Sequence, residues 1–349
     1  MPYLKLMVEK SASDLFITVG SPIKIKIEGK AAPVGKTVID SELSKSAAYG
    51  LMNEYQIEHF EETMECDFAI AMPDGSARFR VNVFRQRGEV GMVLRRIPSK
   101  IPTTAELGLP PILDELINQK RGLILMVGAT GSGKSTTLAA MLDHRNETMA
   151  GHILTIEDPV EFSHPNKKSI INQREVGVDT LSYRNALKAS LREAPDVILI
   201  GEIRERETME AALELANTGH LAISTLHANN ANQAMERVIN MFPQDLHKQL
   251  FMDLSLNIRS VISQRLVTGI DGKRCAAIEI LINTPHIAEL ILKGDLDEIK
   301  EAMAGSGQKG MQTFDDALHN LYKEGRIEME EALNNADSRT NLEAKINFG

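Results

Sequence analysis

The chain has 349 residues, 43% of them apolar and 25% charged, with a formal net charge of −9, enough length for two or three domains with buried cores. The acidic balance argues against nucleic acid or an anionic membrane as bulk partners, and aromatic residues at 4% leave little for base stacking. Cys66 and Cys275 have no metal-ligand spacing and read as reduced thiols; with no signal peptide and no apolar run long enough to span a bilayer, a soluble cytoplasmic protein is expected.

Residues 1–97 read as a small α+β domain. Asp14 to Val19 and Ile23 to Ile27 have strand character, and Glu42 to Glu61 reads as helical. Phe68 to Met72 and Ala77 to Phe84 read as a hairpin across Pro73, Asp74 and Gly75. In its second strand Arg78, Arg80 and Asn82 share one face, and Phe79, Val81 and Val83 the other. Residues 98–111 hold Pro98, Pro102, Pro110 and Pro111 and read as a linker.

From 112 to 285, strands apolar on both faces alternate with helices, the pattern of an α/β domain with a parallel-rich sheet. Residues 286–349 read as mostly helical, with a glycine-rich break from Ala304 to Gly310 and a polar, frayed tail after about 335.

The segment Gly128, Ala129, Thr130, Gly131, Ser132, Gly133, Lys134, Ser135 fits the Walker A spacing at every fixed position. An apolar strand precedes it and a helix opening at Thr136 follows, which is the context the motif requires. The glycines let successive N–H groups face a triphosphate, Lys134 reaches the β- and γ-phosphates, and Ser135 offers a hydroxyl to Mg²⁺. ATP and Mg²⁺ are the expected ligands.

Three further apolar runs end in polar clusters: His152 to Ile156 before Glu157, Asp158 and Glu161; Asp196 to Gly201 before Glu202; and Leu221 to Thr225 before His227. Ligands of open parallel sheets bind at the carboxyl ends of strands, so four segments are expected to converge on one edge. Glu202 has the Walker B position, where a carboxylate supports the metal shell. The cluster of Glu157, Asp158 and Glu161 reads equally well as catalytic or as a solvated acidic turn. His220 precedes and His227 follows the last strand; a lone histidine is more often structural, and the flanking position favours His227 as a γ-phosphate contact. Arg78, Arg80, Arg85, Arg87, Arg95 and Arg96 read either as a solvated face or as charge delivered by domain closure.

Taken together, Gly128 to Thr137, Thr155 to Glu161, Ser190 to Arg204 and Thr218 to Asn229 resemble the type II/IV secretion ATPases. The closer likeness is to the twitching-motility branch, the PilT/PilU pilus retraction motors, supported by Ala12 to Ile17, Arg78 to Asn82 and Gly310 to Asp315. The resemblance implies a homohexamer of subunits with a PAS-like amino-terminal domain and a RecA-like ATPase domain. It implies Glu161 as catalytic base, Glu202 as Walker B acid, and His220 (at the nucleotide) and His227 in a histidine box. It also implies Arg80 and Arg95 as arginines that reach the nucleotide, with Arg96 as a neighbouring alternative. Assembly and secretion ATPases of the superfamily usually carry a four-cysteine zinc module, which two cysteines cannot build. Ser190 to Pro195 looks like the accessory PilU type, and Thr284 to Leu290 lacks the arginine of the main motor's carboxyl-terminal helix. The implied partners are a paralogous retraction ATPase and an inner-membrane platform protein, with the chain at the cytoplasmic face of that membrane, touching it only through partners. A pilus-assembly or type II secretion ATPase, and a nucleotide-gated scaffold with little turnover, are the alternative readings.

Overall fold

The computed structural model describes residues 2–27, 29–98 and 100–348. Its contacts divide the chain into two units. The first comprises Met1–Lys100, Val160–Ser163 and Gly177–Asp179; the second comprises Ile101–Pro159, His164–Val176 and Thr180–Gly349.

The first unit runs α1 (Pro2–Glu9), β1 (Asp14–Ile17), β2 (Pro22–Ile27), β3 (Lys30–Val38), α2 (Ser41–Tyr49), α3 (Glu54–Thr63), β4 (Glu65–Ala71), β5 (Arg78–Gln86) and β6 (Glu89–Ile97). Among the described residues these strands form a six-stranded antiparallel sheet in the order β3-β2-β1-β6-β5-β4. Strand β5 alternates as its sequence predicts: Phe79, Val81 and Val83 are fully buried, and Arg78, Arg80 and Asn82 lie on the half-exposed face. The expected turn is present, with Gly75 N–H bonded to Met72 O at 2.9 Å.

The stretch from Glu42 to Glu61 is two helices rather than one. Gly50 closes α2, and Asn53 opens α3 with a reciprocal capping box to Gln56, at 2.8 and 2.9 Å. Strand β3 escaped the sequence reading because it lacks an apolar face; eight of its nine residues are exposed, as befits an edge strand.

The second unit continues with α4 (Ile112–Ile117), β7 (Gly122–Val127), α5 (Lys134–Thr148), β8 (Gly151–Glu157), β9 (Ser169–Glu175), α6 (Tyr183–Ser190), β10 (Val197–Ile200), α7 (Arg206–Asn217), β11 (Leu221–Leu226) and α8 (Ala231–Asn240). It ends with α9 (His247–Asn257), β12 (Ile258–Thr268), β13 (Arg274–Ile282), α10 (Pro285–Lys293), α11 (Ile299–Ala304), α12 (Phe314–Lys323), α13 (Met329–Asn335) and α14 (Arg339–Phe348). Among the described residues the sheet has seven strands in the order β13-β12-β7-β11-β10-β8-β9, parallel except for β13.

Every residue of β7 is buried. Leu123, Leu125 and Val127 join one apolar cluster, with α7, α8 and α9, and Ile124 and Met126 join the cluster with α4 and α5 on the other face. This two-sided burial is what a parallel sheet between helical layers requires. The outer edge of β13 is met by Gln312, which exchanges both backbone hydrogen bonds with Ile280, at 2.8 and 3.1 Å.

A separate apolar cluster joins Val267 and Ala277 to Phe314, Leu318, Leu333 and Leu342. The expectation of a frayed tail is therefore overturned: residues 339–348 are helical and Leu342 is fully buried. The polar composition conceals this because one apolar residue per few turns suffices to dock a short helix.

Candidate functional site

The Walker A segment leaves β7 at Val127 and enters α5 at Lys134. Gly128, Gly131 and Gly133 have φ of 151°, 79° and 87°, a region that L side chains avoid. Ala129, Thr130 and Gly131 are exposed, while Ser135 and Thr136 are half-buried in the first turn of α5. Lys134 Nζ donates to the carbonyls of Gly128 and Ala129 at 2.6 and 3.0 Å, so the ammonium is held against the loop itself.

Strand register brings the other clusters to the same edge. Leu226 pairs with Val127, Ser224 with Ile200, and Ile200 with Ile156, so Gly128, His227 and Glu202 stand just past, and Glu157 at, the ends of adjacent strands. Glu202 Oε1 lies 3.1 Å from His227 Nε2, and its other oxygen lies 2.8 Å from Arg204 Nη2. Glu157 accepts from Thr155 Oγ1 at 2.6 Å. Tyr183, at the start of α6, sits beside this acidic edge; burial first, then the Asp158 and Glu157 carboxylates, push its phenol well above the usual range. The hydroxyl stays protonated among the carboxylates, a feature the sequence reading did not single out. Next to the loop a cleft of about 560 Å³ is lined by Gly128, Ala129, His227, Asn229, Gln233 and Arg237.

His220 needs correction as a nucleotide contact within its own subunit. It precedes β11 and its carbonyl accepts from Gly122 N–H at 3.0 Å, at the beginning of β7. A strand of six residues, at roughly 3.3 Å each, puts it at the far edge of the sheet from the loop. Its Nδ1 lies 3.2 Å from both Thr218 Oγ1 and Leu215 O, the surroundings of a structural histidine.

Glu161 is exposed and belongs to the segment Val160–Ser163, which groups with the first unit. Arg80 and Arg95 also belong to the first unit, where they are direct cross-strand partners on β5 and β6. Arg95 Nε is 2.9 Å from the nearly buried Asp14 carboxylate, and Arg80 Nε is 3.7 Å from Asp67. Arg96 pairs across the sheet with the buried Phe79 and so takes the opposite face.

Sequence reasoning also passed over Gln264 on β12, which is 2% exposed. Its Nε2 donates to Ser132 O and its Oε1 accepts from Thr137 Oγ1, both at 2.8 Å. No motif marks it, since it lies more than a hundred residues beyond the loop it touches.

The model of the type II/IV secretion system protein family matches residues 2–344. The chain belongs to that family. The type IV pilus ATPase PilU of Pseudomonas aeruginosa is 54% identical over 347 residues, covering 99% of this chain and 91% of that protein. The pilus retraction ATPase PilT of the same organism is 44% identical, covering 94% of this chain and 95% of that protein. A crystal structure of the retraction motor PilT with bound ADP superposes with a TM-score of 0.91 at 42% identity, covering 98% of each chain. The fold of this family member is thus the α/β, RecA-like one expected of its second unit. Among the described residues no helix is long and apolar enough to cross a membrane.

Proposed function

We propose that this chain is an ATP-hydrolysing motor of the type IV pilus machinery that powers or assists pilus retraction, of the accessory PilU type. The observation that carries the reading is an intact Walker A loop, converged with Glu202 and His227 at one sheet edge, in a chain 54% identical to PilU along 99% of its length. Lys134 and the loop amides hold the triphosphate, and Glu161 takes the proton of the attacking water. Arg80 and Arg95 supply positive charge where the transferring phosphoryl group develops negative charge. The oxygen donors of Ser135 and Glu202 fit Mg²⁺, a hard cation; when bound it neutralises charge on the phosphates. His227 orients Glu202 through their 3.1 Å side-chain contact.

The working assembly on this reading is a homohexamer at the cytoplasmic face of the inner membrane. It acts beside a PilT-type paralogue and against a platform protein. A pilus-assembly role is disfavoured by the two-cysteine count, which leaves no zinc module.

The test has two arms. Steady-state ATP turnover of the wild type should fall roughly 100-fold or more in Lys134→Ala. Deletion of the gene, with and without the paralogue, should leave pili made but not withdrawn. Absence of turnover in the wild type sinks the motor reading, and normal withdrawal in every background sinks retraction.

A further inference from the structure

Two of the three positive-φ glycines of the Walker A loop stand against residue 264. A Cβ on Gly128 would stand 2.6 Å from both the backbone O of Gln264 and Ser132 Oγ, and one on Gly133 would stand 2.8 Å from Gln264 Nε2; one on Gly131 would meet nothing within 4 Å. The loop thus has an open point at Gly131 and two points pressed against β12. The register explains the reach: Ser263 pairs with Val127, the last residue of β7, so Gln264 is the next step along, beside the loop.

The side-chain amide makes the contact specific. Ser132 O can only accept, so the NH₂ of Gln264 must face it, and Oε1 is left for the Thr137 hydroxyl. One buried side chain therefore meets the loop at its fifth and sixth positions and α5 at Thr137, while the backbone of the same residue lies against Gly128. An apolar side chain of similar size would leave Ser132 O and Thr137 Oγ1 without these partners in a buried site.

We infer that Gln264 is a positioning residue for nucleotide binding: it holds the Walker A loop in its phosphate-ready curl before nucleotide arrives. It touches neither substrate nor reacting atoms, and acts through Ser132, Gly133 and Thr137. The inference rests on the ATP-binding reading above for its consequence.

The experiment uses full-length protein with Gln264→Leu, and Gln264→Glu as a second variant that keeps the acceptor to Thr137 but loses the donor to Ser132. Hydrogen exchange of the Ser132 and Thr137 amides, which donate to Ala129 O and Gly133 O at 3.2 and 3.1 Å, is measured without nucleotide, and KM for ATP and kcat are measured separately. In Gln264→Leu these amides exchange at least about tenfold faster and KM rises about tenfold, while kcat changes less; Gln264→Glu, which sets a carboxylate against Ser132 O, is affected at least as strongly. Unchanged loop exchange in a folded Gln264→Leu overturns the inference. If that variant does not fold, unchanged exchange in Gln264→Glu overturns it instead. Wild-type protein without ATP turnover contradicts the proposed function and leaves the exchange result to decide on Gln264.

Discussion

His227 Nε2 lies 3.1 Å from Glu202 Oε1, so the end of β11 holds the acid at the end of β10 by a direct side-chain contact. With Arg204 Nη2 at 2.8 Å on the other oxygen, the carboxylate is fixed from two sides. His227→Ala should lower kcat about 10- to 100-fold with little change in KM for ATP, since the loop is untouched. Steady-state kinetics check it, and an unchanged kcat would remove His227 from the mechanism.

Arg80 and Arg95 face each other across two strands but differ in what they support. Burial alone would raise the Asp14 carboxyl, but the hydrogen bonds from Arg95 and Ser13 outweigh it and hold the group below its usual range. Such a group stabilises the fold above its unfolded pKa and loses that contribution as pH falls through the folded one. Arg95→Ala should therefore melt roughly 2–4 °C lower at neutral pH, with the gap closing below about pH 4. Arg80→Ala, beside the exposed Asp67, should stay within about 0.5 kcal/mol of wild type. Loss of ATPase activity in Arg80→Ala can then be assigned to chemistry; the same loss in Arg95→Ala must first be corrected for stability. Thermal melts across pH provide the check.

Asp337 ties the carboxyl-terminal helices to β12 through Arg265 at 2.7 Å and to Lys300 at 2.9 Å. Burial raises its pKa, but Lys300 and Arg265 together leave it lowered. Its contribution is therefore present at neutral pH and lost on acidification. Asp337→Asn should be less stable than wild type at pH 7, with a gap that begins to narrow only below about pH 4, as the carboxylate takes up its proton. Urea unfolding at both pH values measures this, and a gap that stays constant with pH would contradict the ion-pair account.

Leu342 is fully buried on α14, while Phe348 on the same helix is 90% exposed. Leu342→Ala should cost about 2–5 kcal/mol, and Phe348→Ala should be near neutral. Equilibrium unfolding of the two variants distinguishes a docked tail from a loose one.

The parts legible from sequence were those whose signal is local. The Walker A spacing, the apolar runs and the acid after Ile200 each announce themselves within a dozen residues. Convergence of the four strand ends also followed, because parallel strands share a carboxyl edge. What escaped depends on partners distant in the chain. Gln264 looks like any polar residue in a strand until β12 is known to lie beside β7. His220 and His227 look like a pair in sequence, yet the strand between them carries them to opposite edges. Leu342 could not be distinguished from a residue of a solvated tail without the cluster around Phe314.

Gln312 has a consequence for how copies of this chain can associate. It takes Ile280 N–H and Ile280 O through its backbone and Ile278 O through its side-chain Nε2, at 2.7 Å. Those groups are the ones an incoming strand from another molecule would need to extend the sheet. At Ile280 and Ile278 the ladder is capped by the chain's own residue, so a strand from another copy would have to displace Gln312 to pair there. A contact between copies made through side chains at this point could separate and re-form without opening that bridge.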